Sequence, residues 1–190
     1  MTARIAALLT VALLALTGCG GGQGTGDKGY ITGDGTVREL PVADRGTPVR
    51  LDGVDLAGEP LSVADLRGTP VVVIVWGSWC PPCRAEAPEL AELAHARDDV
   101  AFVGINIRDP SEANGLSFNR RFGIDYPSFF SPTGEALLAF RGTLTPNSIP
   151  STVVLDASGR VAASIIGPLP SIGTLNALID TVVDEVGQDG

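Results

Sequence analysis

Val71-Val72-Val73-Ile74-Val75-Trp76-Gly77-Ser78-Trp79-Cys80-Pro81-Pro82-Cys83 is the stretch that decides how this 190-residue chain folds. Its first six residues are an unbroken apolar run, bounded by Gly68-Thr69-Pro70 and by Gly77. Such a β-branched run suits a strand buried on both faces. Beyond Cys83 the period changes. Ala87, Leu90, Ala91 and Ala94 recur at i, i+3, i+4 and i+7, the core stripe of a helix expected to reach about Ala96. Pro88 falls inside that helix, where it would kink the axis and free the Arg84 carbonyl. Two thiols three residues apart thus stand where a strand hands over to a helix, a spacing that brings their Cα atoms within disulfide reach. Cys80 falls at the helix N-terminus, where unpaired N–H groups and the positive end of the dipole favour a thiolate. Pro81 suits the first helical position, and Pro82 stiffens the pair further. Thiolate is the attacking species in disulfide exchange. Cys80 is therefore the expected nucleophile, poised and reachable, and Cys83 the resolving thiol.

Other uses of such a pair fit less well. Zinc wants four ligands, and the chain offers only Cys19, Cys80, Cys83 and His95. A c-type haem needs histidine directly after the second cysteine, where this chain has Arg84. An inert structural disulfide closing so small a ring would constrain the unfolded chain very little. A copper chaperone spaces its cysteines more widely and adds a histidine. A peroxidase of the peroxiredoxin type needs threonine or serine three residues before its cysteine, and that position is Gly77. His95, three turns from Cys83, is given no chemistry. No cofactor and no metal are expected.

The N-terminus gives the compartment. Arg4 supplies a positive start, and Ile5 to Leu16 is a twelve-residue, almost wholly apolar stretch. It is too short to span a bilayer, so residues 1–18 are expected to be a secretion signal. Leu16-Thr17-Gly18-Cys19 resembles the bacterial lipobox, which implies lipidation of Cys19 and attachment to the extracytoplasmic face of the membrane. Residues 19–36 then form a glycine-rich tether; seventeen such residues span roughly 23 Å. Losing Arg4 with the signal moves the net charge from −9 to −10, which argues against nucleic acid and anionic lipid headgroups as partners.

Residues 37–190 are one domain's length. Short extended pieces surround Gly53 and Gly58, followed by Leu61, Val63 and Leu66. Val100 to Ile107 reads as a strand, and Ser111 is placed to cap a helix that Gly123 closes after Phe122. Tyr126–Phe130 is extended and Gly134–Phe140 a short helix. Thr152–Leu155 and Arg160–Ile166 make a hairpin around Ala157-Ser158-Gly159. Leu175, Leu178, Ile179, Val182 and Val183 mark a last amphipathic helix. Strands alternating with helices predict an α/β domain with a mostly parallel central sheet, an antiparallel C-terminal hairpin and helices on both faces.

VVVIVWGSWCPPCRAEAP (71–88) and SIPSTVVLDASG (148–159) resemble the TlpA/ResA-like thiol-disulfide oxidoreductases of the thioredoxin fold, over roughly residues 45–185. Gly104 to Gly142 is similar to the insertion that separates this family from plain thioredoxin. The resemblance implies that Ile149-Pro150 is a cis-proline packed beside the active disulfide, with the Ile149 backbone free to pair with an extended substrate. It implies that Glu86 assists proton transfer to Cys83. Glu86 lies one turn beyond Cys83, and the thioredoxin acid position, six residues before the first cysteine, is apolar Ile74 here. Trp79 is expected on the apolar rim where partners dock, and Trp76 in the core. The implied activity is reduction of disulfides in exported proteins, among them the haem-attachment cysteines of apocytochrome c, with electrons from a membrane thiol-disulfide transporter. Oxidant or isomerase action remains open on the same motif, because potentials across thioredoxin folds run from about −270 to −120 mV.

Overall fold

The computed structural model describes residues 31–32 and 36–188, and these described residues form nine strands and three α-helices. They are β1 (Ile31–Thr32), β2 (Thr36–Glu39), β3 (Asp52–Val54), β4 (Pro60–Ser62), β5 (Val71–Trp76), α1 (Pro81–Ala96), β6 (Ala101–Ile107), α2 (Glu112–Phe122), β7 (Ser128–Ser131), β8 (Ser151–Leu155), β9 (Val161–Ile166) and α3 (Ile172–Gln188). The expected export signal, Cys19 and all but the end of the tether lie outside the described residues.

Seven strands form one sheet in the order β1-β2-β9-β8-β5-β6-β7, with β3 and β4 paired apart. The sheet is mixed rather than mostly parallel. β5, β6 and β7 run parallel, whereas β8 joins β5 antiparallel, β9 joins β8 and β2 joins β9, both antiparallel. The antiparallel share exceeds the expected hairpin because the chain re-enters the sheet next to β5 in reverse, and β2 then adds to the hairpin's outer edge.

Alternation along β5 sorts its side chains between two cores. Val72, Ile74 and Trp76 face the three α-helices, joining Cys83, Ala87, Leu90, Phe118, Leu175 and Ile179. Val71, Val73 and Val75 face the other way, joining Val63, Leu137 and Phe140 from the 3-10 segments Val63–Leu66 and Glu135–Phe140. Both sheet faces are covered, but only one by α-helices. Trp76 is core, as expected, and stacks on Phe118 with ring centroids 4.4 Å apart.

The insertion supplies α2, β7 and the second 3-10 segment. Gly123 ends α2 in the left-handed region (φ 70°), its N–H donating to Asn119 C=O. Ser111 stands at the N-cap but does not cap: its hydroxyl pairs with Asn114 Oδ1 at 2.8 Å instead. Arg45 anchors the segment after β2. Nearly buried (3% exposed), it reaches Asp156 in the β8–β9 turn at 3.2 Å and Glu185 on α3 at 2.6 Å. α1 continues through Pro88 to Ala96.

Candidate active site

At the end of β5 the chain turns, the Cys80 N–H donating to Gly77 C=O at 3.1 Å. Cys80 has extended backbone and is the N-cap of α1; its Sγ accepts the Cys83 N–H at 3.3 Å. Pro81 and Pro82 open the helix, where absent N–H groups leave nothing unpaired. Cys80 and Cys83 are joined as a disulfide, with Cα atoms 5.3 Å apart. One expectation fails: Cys80 is not reachable in this form. It is 2% exposed and Cys83 4%, both within the helix-side core. The N-cap sulfur turns back over the helix start and is bonded to Cys83, which lies on the buried stripe.

Ile149–Pro150 is a cis peptide at the mouth of β8. The Pro150 carbonyl accepts the Gly167 N–H at 3.0 Å, and two residues further on the Leu169 N–H donates to Glu86 Oε1 at 2.8 Å. One segment thus bridges the proline and the glutamate. Cys83, Glu86, Pro150 and Tyr126 line a common cavity of about 10 Å³ among apolar side chains, so the glutamate and the resolving cysteine share one small space. Burial raises the Glu86 pKa above the usual carboxylate range; the Leu169 N–H opposes that shift and Glu89 adds to it. Ile74, at the thioredoxin acid position, is 3% exposed and carries no proton to exchange. The Ile149 N–H is not free: it donates to Asn147 C=O at 3.0 Å. The tight bend before the proline consumes the donor expected to meet a substrate strand.

Trp79 is 46% exposed, and its Nε1 donates to Ile107 C=O at 3.2 Å, pinning the indole to the end of β6. His95 pairs with Asp125 at 3.0 Å, both well exposed. Sequence reasoning missed a cluster beside the cysteines. Asp109 is 1% exposed and accepts the Ser78 N–H at 3.0 Å, the Ser78 hydroxyl at 2.5 Å and Asn106 Nδ2 at 2.6 Å. The available signal was Asn106 within the otherwise apolar β6 and Asp109 two residues past its end, at the carboxyl ends of the parallel strands where open α/β sheets place their sites.

The redoxin family profile matches residues 41–179, so the chain belongs to the redoxin family. Among its relatives is the thiol:disulfide interchange protein DsbE of Pseudomonas aeruginosa, 34% identical, the match covering 68% of this chain and 70% of that one. The thiol-disulfide oxidoreductase ResA of Geobacillus thermodenitrificans is 30% identical over 60% of this chain; the chain spans 64% of ResA's length. Among solved structures, a DsbF homologue from Corynebacterium diphtheriae superposes with a TM-score of 0.72 at 31% identity, covering 80% of this chain and 96% of that one. These relatives bear out the expected resemblance and the thioredoxin-like fold.

Proposed function

We propose that this protein is a thiol-disulfide oxidoreductase held outside the cytoplasm by a lipid on Cys19, reducing disulfides in exported proteins. The observation that carries the reading is the Cys80–Cys83 pair at the start of α1, with Cys83 lining the cavity that Glu86 and cis-Pro150 also line. In the reduced protein, Cys80 as thiolate attacks one sulfur of a partner disulfide. A mixed disulfide forms and the partner's other sulfur departs as thiolate. Glu86, its proton affinity raised by burial, accepts the Cys83 proton; Cys83 then attacks Cys80 Sγ and expels the partner's second sulfur. The partner gains two electrons, and the Cys80–Cys83 disulfide is restored. A membrane thiol-disulfide transporter resets the pair, and apocytochrome c is one exported substrate that fits. Trp79, Ile149 and Pro150 form the docking rim in this reading.

An oxidant or isomerase is the competing reading, favoured by the 28% identical secreted thiol-disulfide isomerase of Corynebacterium glutamicum (TM-score 0.71). Cys83→Ala tests the shared chemistry by trapping the partner on Cys80, and absence of any Cys80-dependent mixed disulfide in cells refutes it. The reduction potential separates the two roles. A value near the reducing end supports the reductase, and one near the oxidising end overturns it.

A further inference from the structure

The carboxyl end of β6 touches both halves of the site. Ile107 C=O holds the Trp79 indole, and Asp109 takes two hydrogen bonds from Ser78, two residues before Cys80. Ser78 C=O in turn accepts from Arg84 Nη1 at 3.1 Å, in the first turn of α1. Between Ile107 and Asp109, Arg108 has φ 58°, a left-handed conformation uncommon for a residue with a side chain. That twist accompanies opposite destinations for its neighbours. Asp109 turns into the buried cluster, while Arg108 Nη2 reaches Pro146 C=O at 2.7 Å and Asn147 Oδ1 at 2.8 Å, in the loop that delivers Ile149–Pro150. A buried carboxyl with three donors on it is a fixed point in the structure. The turn before the nucleophile and the loop before the cis-proline are thus moored to adjacent residues at the end of one strand.

We propose that Asp109 is a positioning residue for thiol-disulfide exchange. Through Ser78 it fixes the turn that presents Cys80, and with Arg108 beside it sets that turn against the proline loop. This rests on the exchange activity proposed above. Asp109 itself touches neither sulfur. A reacting centre displaced by about 1 Å loses up to roughly a hundredfold in rate, so Asp109→Ala is expected to slow exchange ten- to a hundredfold.

Asp109→Asn should largely restore it. Asn106 Oδ1 is buried and has no partner. An amide flip of Asn106 would aim that oxygen at the NH₂ of the substituted side chain, whose own Oδ1 continues to accept from Ser78. The network loses one bond instead of three, and exchange should fall no more than about fivefold, the scale of a single neutral hydrogen bond.

The experiment uses the purified reduced protein at 25 °C, folded by circular dichroism. It measures the rate of exchange with a disulfide-bonded peptide, the pH profile of Cys80 alkylation by iodoacetamide, and the Cys80–Cys83 potential against glutathione. Slowed exchange in Asp109→Ala with a shifted alkylation profile, and recovery in Asp109→Asn, support the proposal. Ser78→Ala, which removes only the 2.5 Å bond, should lie between wild type and Asp109→Ala; it is read alone if Asp109→Ala does not fold. Wild-type rates and profiles in the folded variants, whatever their melting temperatures, overturn it. Failure of wild-type Cys80 to exchange at all would instead remove the activity.

Discussion

Gly77 offers a direct test of how closely the site is packed. A Cβ built there lies 2.6 Å from Trp79 Nε1, 3.0 Å from Trp79 Cε2 and 3.0 Å from the Ile107 carbonyl oxygen. The requirement is for space. In Gly77→Ala the indole, half exposed, swings outward and gives up its bond to Ile107, a loss of about 1 kcal/mol. The Ile107 contact is with backbone and no rotamer change relieves it, so overpacking of about 1–3 kcal/mol is added. The expected loss is about 2–4 kcal/mol for alanine and more for threonine, whose branched side chain adds two heavy atoms. That is a large fraction of the 5–15 kcal/mol typical of a domain, yet leaves alanine folded. Urea unfolding followed by far-ultraviolet circular dichroism measures it, with native tryptophan fluorescence reporting release of the indole. Gly77→Thr also installs the residue a peroxiredoxin-type site would need. A loss below about 0.5 kcal/mol for alanine, or a stable threonine variant, would show that the pocket yields. The close packing of Gly77 against Trp79 and Ile107 would then not constrain the site.

Two further outcomes follow from groups with named partners. Glu86 has a raised folded-state pKa, so the folded protein binds its proton more tightly than the unfolded chain does. Its effect on stability is most favourable below the unfolded pKa and declines as pH rises through the folded one. Glu86→Gln should therefore flatten that decline in melting temperature from about pH 4 upward, and slow resolution of the mixed disulfide by about a hundredfold in quenched-flow gels; an unchanged resolution rate refutes the proton role. Arg45→Met leaves Glu185 without its ion pair and Asp156 with Arg160 as its remaining ion-pair partner, beside the Ser158 hydroxyl. It should cost about 2 kcal/mol in urea unfolding, since it leaves the part-buried Glu185 unpaired and takes one charged donor from the buried Asp156, and a cost under about 0.5 kcal/mol refutes that account.

The centre of the fold was legible because local pattern and tertiary environment agree there. Val71–Trp76 is buried at every position, and α1 ends at Ala96, where the apolar stripe runs out. What escaped depends on contacts between distant segments. Nothing in Thr152–Leu155 states that β8 lies antiparallel beside β5, because a strand buried at every position reads the same in either direction. Ser111 met the composition rule for a cap, yet Asn114 took its hydroxyl. Asp109 and Ser78 are separated by thirty-one positions, and no spacing rule connects them. The Ile149 N–H was misjudged for a similar reason, since the bend that occupies it is set by how the loop reaches Pro150.

The buried state of Cys80 bears on the order of events. Cys83 lies on the same stripe as Ala87 and Leu90, residues four and seven further along α1, and faces the core whatever its oxidation state. Cys80 belongs to the turn, and its buried sulfur is bonded to Cys83. Reduction removes that bond and leaves Sγ held by the Cys83 N–H, a weaker restraint on χ1 rotation. The two thiols should then differ sharply: Cys80 exposed and ionised at the helix start, Cys83 still shielded. Iodoacetamide applied to the freshly reduced protein at pH 7, with products mapped by mass spectrometry, should modify Cys80 at least tenfold faster than Cys83, as thiolate fraction and access both direct. Equal rates, or Cys83 reacting first, would mean that the N-cap does not make Cys80 the attacking sulfur, and the assignment of nucleophile and resolving thiol would have to be reversed.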